Sequence, residues 1–292
     1  MSTNKEREKE NMNKKSKWTL LVAVTVVTVG AGVNYRILSA KADTNQSGRT
    51  VKEIKKSGEI KIAVFGDLKP YGWVDKNGKR QGYDIELAKK VAKDLGVKVK
   101  YVQVNANARV DALNSGKVDL ALANFTVTPE RKKVIDFAKP YMKVSIGVAS
   151  KKSKLITKVD QLHGKKLIVN KGTTAETYFT KNYTKASFLK FDSKTQQFAA
   201  LKDGRADAIT DDNSYLFAWV KSHPDYKVGI KKLGEQSYIS PGVQKGNKSL
   251  LKWTDKEINK LNKNQFFTKD YDKTLAPYFG KDVKSSDITI NN

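Results

Sequence analysis

Two periods of apolar residues alternate along the chain, and each change of period marks a predicted element. Residues 59–65 (EIKIAVF) alternate between apolar and polar side chains and are rich in β-branched residues, which is typical of a strand. Residues 84–95 (DIELAKKVAKDL) instead repeat apolar side chains at helical spacing, and Gly96 follows, so we expect an amphipathic helix that ends there. Residues 97–104 predict the next strand. The alternation of strands and helices indicates a parallel sheet.

An eight-residue pattern occurs twice. Residues 112–119 read ALNSGKVD and residues 200–207 read ALKDGRAD, so that a predicted helix ends at a glycine and a strand follows in both copies. Residues 61–66 (KIAVFG) and 166–172 (KLIVNKG) form a second pair, a strand before a glycine-containing turn. We therefore predict an α/β protein with two similarly built lobes.

The two copies place polar residues at corresponding strand ends. Asn124 follows the first strand and Asp212 ends the second. Ligands of parallel α/β sheets bind beyond the carboxyl ends of the strands. If the lobes face each other, both residues line the cleft between them.

The segment after Asn124 is a predicted helix start. Thr128 is a good N-cap and Pro129 fits the first helical position. Arg131 lies in the same first turn, where a cation opposes the helix dipole. Two interpretations remain: an exposed arginine paired with a nearby acid, or a guanidinium that folds back over the helix start and binds a carboxylate.

The second lobe has a similar feature. Thr173 precedes Glu176 by three residues, which is a capping-box spacing, and the free N–H groups of that helix start suit the same carboxylate. Asp212 needs a cation if it lies in a cleft. Together these two features suit a zwitterion. Its α-carboxylate would bind near Arg131, and its α-ammonium group would bind Asp212.

Composition narrows the chemistry. The chain has no cysteine, which excludes disulfides, thiolate metal sites and cysteine nucleophiles, and its two histidines offer little for a metal site or a catalytic triad. The adjacent acids Asp211 and Asp212 are a candidate catalytic pair, but neighbours on a strand point to opposite faces. We therefore predict a binding protein without catalytic residues, metal or cofactor.

The net charge of +26 indicates an anionic partner. The lysines are scattered and form no arginine–aromatic cluster of the kind that single-strand binders use. An exported protein also rarely meets nucleic acid. We expect an anionic cell envelope as the partner, and no nucleic acid.

The N-terminus has the pattern of an export signal. Lysines precede the apolar residues 18–33, and residues 40–42 (AKA) fit a cleavage site. The apolar run is shorter than the ~20 residues of a spanning helix, although an uncleaved anchor is the alternative. We predict a signal peptide or anchor over 1–42, a flexible lead-in over 43–57 and an extracellular, cell-surface protein with no lipid-anchoring cysteine.

Five motifs resemble the family 3 periplasmic-type solute-binding proteins of amino-acid ABC transporters, in order between about residues 58 and 287. The motifs are residues 66–72 (GDLKPYG), 82–86 (GYDIE), 118–131 (VDLALANFTVTPER), 170–179 (NKGTTAETYF) and 203–213 (DGRADAITDDN). The fourth motif and residues 216–234 (LFAWVKSHPDYKVGIKKLG) are most similar to the subgroup that binds cysteine or cystine, which is related to aspartate and glutamate binders.

The resemblance implies a type II periplasmic-binding-protein fold, with two parallel-type sheets joined by two crossing strands that act as a hinge. We place the crossings near residues 145–150 and 239–244. Lobe 1 then comprises 58–146 plus 243–287, and lobe 2 comprises 147–242.

The resemblance also assigns residues to the ligand's α-carboxylate. Thr126 and Arg131 of lobe 1 bind it, and Thr173 and Thr174 of lobe 2 add contacts.

Further implied contacts hold the rest of the ligand. The backbone carbonyl of Asn124 and the acid Asp212 bind the α-ammonium group, and Tyr71 covers the ligand unless it only packs between the lobes. Many members have a second aromatic residue where this chain has Ala106. Arg109 is therefore a candidate selector of the ligand side chain, or else an arginine on the rim.

The function implied is a monomeric receptor that delivers an amino acid, cysteine or cystine, to a membrane ABC permease. The alternatives are a binder of aspartate, glutamate or glutamine, a dehydratase of the same fold that uses Asp211, Asp212 or Glu176, and a basic surface adhesin.

Overall fold

The computed structural model describes residues 48–279 and 283–290, so the signal or anchor predicted for residues 1–42 lies outside the described residues. Within these ranges, no helix is both long enough and apolar enough to cross a membrane. The strands are β1 Glu59–Val64, β2 Asp67–Leu68, β3 Gly72–Val74, β4 Arg80–Gln81, β5 Lys98–Gln103, β6 Leu120–Ala121, β7 Ile135–Phe137, β8 Met142–Lys151, β9 Lys166–Asn170, β10 Ser187–Phe191, β11 Ala208–Asp212, β12 Tyr226–Ile239 and β13 Gly242–Gln244.

The helices follow the strands in alternation, as predicted. They are α1 Val51–Ser57, α2 Tyr83–Leu95, α3 Arg109–Asn114, α4 Pro129–Val134, α5 Thr174–Asn182, α6 Lys194–Lys202, α7 Asn213–Lys221, α8 Lys248–Lys263, α9 Phe266–Thr274, α10 Ala276–Phe279 and α11 Ser285–Ile288. The apolar face expected for α2 is buried and packs against β1 and β5, and Gly96 ends the helix with a left-handed backbone.

Two larger sheets and a small one form the described structure. The first has the strand order β5-β1-β6-β13-β7, with β1 parallel to β5 and β6 and with β13 antiparallel to β6 and β7. We call the part of the chain built on this sheet lobe 1. The small antiparallel sheet β2-β3-β4 follows β1 directly.

The second large sheet repeats the parallel arrangement. Its order is β10-β9-β11-β8-β12, with β9 parallel to β10 and β11 and with β8 antiparallel to β11 and β12. We call the part built on it lobe 2. The prediction of two similar α/β lobes is confirmed, and each sheet has a parallel core extended by antiparallel strands.

The chain passes between the sheets twice. It leaves the first sheet after Phe137 and enters the second at Met142, then leaves the second at Ile239 and rejoins the first at Gly242. The predicted crossing at 145–150 lies inside β8, so the first crossing comes a few residues earlier along the chain. The predicted limits of the lobes stay a prediction.

The flexible lead-in predicted for 43–57 is wrong for residues 51–57, which form α1. Thr50 Oγ1 accepts a hydrogen bond from Glu53 N at 3.1 Å, and Glu53 Oε2 accepts one from Thr50 N at 2.7 Å. Ile54 is fully buried, and Gly58 ends the helix with φ 69°. The polar composition misled the prediction, because this capping box and one apolar anchor are sufficient for a short packed helix.

Replacing the cap tests this helix. We expect Thr50→Ala to lower the free energy of unfolding by about 1 kcal/mol, because an N–H group of the first turn loses its acceptor. Denaturant unfolding measures the change, and hydrogen exchange of residues 51–57 locates it. Fast exchange of these amides in the unmodified protein would contradict the structure.

Candidate functional site

The backbone at Asn124, three residues beyond the end of β6, is held in an unusual conformation. Its φ of 44° lies in the left-handed region, which asparagine tolerates better than most residues. The Asn124 N–H donates to Asp84 Oδ2 at 2.9 Å, and the Tyr141 hydroxyl donates to Asp84 Oδ1 at 2.7 Å. Burial raises the pKa of Asp84 to about 7 even though both hydrogen bonds act to lower it. A buried carboxylate therefore supports the backbone from which the Asn124 side chain projects.

The two predicted strand-end residues meet between the lobes. Asn124 Nδ2 donates to Asp212 Oδ2 at 2.8 Å, and both side chains are buried. Burial is the main cause that raises the pKa of Asp212 to about 6, and the charge of Asp211 adds to it. Asp212 is therefore an acid whose ionised form needs a cation in the cleft.

Arg131 adopts the folded-back conformation and is not exposed. Thr128 caps α4, since its Oγ1 accepts from Arg131 N at 3.2 Å. The guanidinium turns back, where Nη1 donates to Thr126 O at 2.6 Å and Nη2 donates to Gly172 O at 2.8 Å. These bonds use two of its five N–H donors. Burial lowers the pKa of Arg131 to about 10, so the side chain stays cationic at neutral pH.

Arg109 is buried in the cleft and does not lie on its rim. Its Nε donates to Ala106 O at 2.9 Å, Nη1 donates to Ala123 O at 3.0 Å and Asn124 O at 2.8 Å, and Nη2 donates to Gly172 O at 3.0 Å. Four of its five N–H donors therefore bind backbone carbonyls. Burial lowers the pKa of Arg109 well below its usual value. The side chain organises the backbone on both sides of the cleft.

Gly172 is a point of close approach between lobe 2 and lobe 1 at this site. Its carbonyl accepts hydrogen bonds from both Arg109 and Arg131. Its φ is +75°, and a Cβ atom on it would lie 2.5 Å from Asn107 Cα. Only glycine combines this backbone conformation with this separation.

The turn after Gly172 starts α5 as predicted. Thr173 Oγ1 accepts from Glu176 N at 3.1 Å, and Glu176 Oε2 accepts from Gly172 N at 2.8 Å. Thr173 and Thr174 therefore lie at a capped helix N-terminus that faces lobe 1.

A small, partly open cavity lies between the lobes. Six of the predicted site residues lie on its wall: Arg109, Asn124, Thr126, Thr173, Thr174 and Asp212. Two others do not. Arg131 lies behind the wall, with its guanidinium between Thr126 and Gly172, and Tyr71 is fully buried while Phe65 and Leu68 provide the nearby apolar surface.

Sequence reasoning missed an ion pair on the wall. Lys194 Nζ lies 2.6 Å from Asp211 Oδ2, and Gln197 Nε2 donates to the same oxygen at 3.0 Å. Asp211 and Asp212 both line the cavity, because α7 begins at the end of β11 and strand alternation stops there. Their carboxylates bind different side chains, Lys194 in one case and Asn124 in the other. The sequence drew attention to Asp211 because it directly precedes Asp212, whereas no pattern around Lys194 indicated a role in the site.

Across residues 48–279 and 283–290, no group of three or more His, Cys, Asp or Glu side chains is arranged to hold a metal ion.

Comparison with known proteins identifies the family. Residues 60–281 match the model of the bacterial extracellular solute-binding proteins, family 3. The chain belongs to this family.

Solved structures of family proteins share the fold. A solute receptor for L-cysteine from Neisseria gonorrhoeae is 50% identical with a TM-score of 0.81, and the match covers 83% of this chain and 100% of that one. A cysteine-binding protein from Campylobacter jejuni is 52% identical with a TM-score of 0.81, covering 83% and 99%. A glutamine-binding protein of a Bacillus subtilis ABC transporter is 28% identical over 260 residues, covering 87% and 95%.

These findings confirm the predicted type II periplasmic-binding-protein fold and the predicted family. The relatives named above are solute-binding proteins, and this chain is an amino-acid-binding protein of the class that serves ABC importers.

A substitution at Gly172 tests how closely the lobes approach. We expect Gly172→Ala to raise the radius of gyration in small-angle X-ray scattering, because the added Cβ meets the Asn107 backbone and only a separation of the lobes relieves that contact. Gly164→Ala is the matched control, with a similar φ of +70° but no atom within 4 Å of its Cβ. Equal radii for the two variants would contradict the contact.

Proposed function

We propose that this chain is the exported receptor of an amino-acid ABC importer and that it binds cysteine or cystine between its lobes. The observation that supports this most strongly is that opposite charges lie close to one small cavity, with Asp212 on its wall and Arg131 behind it. Asp212 of lobe 2 meets Asn124 of lobe 1 at one place, and Arg131 of lobe 1 meets Gly172 of lobe 2 at another. Such a pair suits a zwitterion.

The α-carboxylate is assigned to the side of the cavity near Arg131. This guanidinium keeps three N–H donors beyond its bonds to Thr126 O and Gly172 O. The Thr126 hydroxyl and Thr174 at the start of α5 offer further donors on the wall. The N–H and the hydroxyl of Thr173 already donate to Asn170 O. A small movement of Arg131 toward the cavity would give a charge-assisted, two-bond contact.

The α-ammonium is assigned to Asp212 and Asn124. The Asp212 carboxylate supplies the charge, and Asn124 Oδ1 is a buried acceptor with no hydrogen-bond partner in the described part of the chain. The carbonyl of Asn124 already accepts from Arg109, so its amide oxygen is the better acceptor for the ligand. Tyr71 then supports the wall from behind, and Arg109 acts mainly by holding the backbone.

The ligand side chain is assigned to the surface of Phe65, Leu68 and Ala106. This apolar wall suits a short, weakly polar group such as a thiol. The cysteine receptors at 50% and 52% identity support the same choice. The alternative is a glutamine-type or acidic ligand, for which Lys194 and Asp211 would supply the polar contacts.

The cellular setting is part of the proposal. Residues 1–42 export the chain or anchor it, a membrane permease receives the amino acid from the monomer, and the charge of +26 keeps the protein near an anionic envelope. It performs no chemistry.

Isothermal titration with cysteine, cystine, glutamine and glutamate tests the ligand. We expect Arg131→Ala to weaken binding of the preferred ligand at least about 100-fold, because a buried carboxylate loses its charged partner. Arg205→Ala, at an exposed arginine of lobe 2, is the control and should bind as the unmodified protein does. Circular dichroism checks that each variant is folded. An Arg131→Ala affinity within threefold of the original would exclude the assigned role.

The pKa of Asp212 predicts a pH dependence of binding. Its carboxyl has a pKa of about 6, so it is ionised at pH 7.5 and mostly protonated at pH 5.0. Protonation removes the charge that holds the ammonium group, so affinity should fall about tenfold between these pH values. Asp212→Asn should bind weakly with little pH dependence. A flat profile in the unmodified protein would contradict the assignment.

A further inference from the structure

We propose that Asp67 is a positioning residue that stabilises the closed arrangement of the lobes by capping a helix of the opposite lobe. Asp67 belongs to β2 in lobe 1. Its Oδ2 accepts hydrogen bonds from Lys194 N at 2.9 Å and Ser193 Oγ at 3.0 Å, and Thr195 N lies at 3.5 Å. All three partners lie at the start of α6 in lobe 2.

The contact satisfies groups that α6 cannot satisfy itself. The first N–H groups of a helix have no intrahelical acceptor. Ser193, the N-cap of α6, accepts only from Gln196 N, at 3.3 Å. Asp67 therefore accepts from the first helical N–H and places a negative charge at the positive end of the helix dipole.

The helix that Asp67 caps also forms part of the ligand cavity. The backbone N–H of Lys194 binds Asp67, while its ammonium group binds Asp211 on the cavity wall. Gln197, in the next residues of α6, binds Asp211 as well. Asp67 thus links lobe 1 to the cavity wall of lobe 2 without touching the cavity.

The contact depends on closure. Asp67 lies in β2 of lobe 1, and Lys194, 127 residues later, lies in α6 of lobe 2, so separation of the lobes exposes both to water. A contact that exists only in the closed arrangement raises its population, and the apparent affinity of a ligand that needs this arrangement rises by the same factor. Loss of a helix cap should therefore lower both the ratio of closed to open molecules and the apparent affinity about fivefold.

The absence of cysteine allows a direct measurement of closure. Val74→Cys in lobe 1 and Val159→Cys in lobe 2, both at exposed valines, take spin labels whose separation is measured by electron–electron double resonance without ligand. We expect Asp67→Ala to shift the distances toward longer values. Asp67→Asn, which keeps the side-chain shape, is expected to shift them in the same direction by less.

A second measurement, of ligand affinity, rests on the proposed function, whereas the measurement of spin-label distances does not. Asp67→Ala should weaken cysteine binding about fivefold, and the loss should appear as a faster dissociation rate. Asp75→Ala is the matched control, because Asp75 accepts N–H groups of Asn77 and Lys79 within its own turn in lobe 1. It should change neither the distances nor the affinity. Distances in Asp67→Ala equal to those of the Asp75→Ala control would overturn the proposal, whether or not the protein binds cysteine.

Discussion

The Gly172 carbonyl oxygen accepts hydrogen bonds from two arginines of the opposite lobe, the buried Arg109 and the half-buried Arg131. An arginine can be buried only if its N–H groups find acceptors, because the charge loses its hydration there. Arg109 and Arg131 find them in backbone carbonyls of both lobes, and Gly172 allows the close approach that makes this possible. The cavity lies beside this junction, so its shape depends on the same contact.

Charge held away from water is the common feature of the cavity wall and of the side chains directly behind it. The Asp212 carboxylate, the Lys194–Asp211 pair and the two arginines lie within one small region, each held by hydrogen bonds from a neighbouring element. Such groups are already largely desolvated, and apart from Arg131 they are oriented at the cavity, so a charged ligand has little to organise on binding. The raised pKa values of Asp84 and Asp212 have the same origin, since burial disfavours their ionised forms.

Contacts between the lobes fall into two kinds with different consequences. The Asn124–Asp212 and arginine–Gly172 contacts lie at the cavity, where a bound ligand would compete with them or join them. The contact of Asp67 with α6 lies outside the cavity and is independent of the ligand. Together they allow affinity to be tuned both by groups that touch the ligand and by groups that only favour closure.

The sequence by itself determined the repeated helix–glycine–strand units, the cap at Thr128 and the strand-end positions of Asn124 and Asp212, because these depend on periodicity and on neighbouring residues. It also placed most of the cavity wall through motif resemblance. Only the tertiary structure decided which donors of Arg109 and Arg131 are already used, that Lys194 pairs with Asp211, and that Asp67 reaches α6. These pairings join residues as far as 127 positions apart, and a hydrogen bond between distant segments leaves no periodic signal in either of them. Helix α1 shows the same limit on a smaller scale, since its stability depends on burying Ile54 against lobe 1.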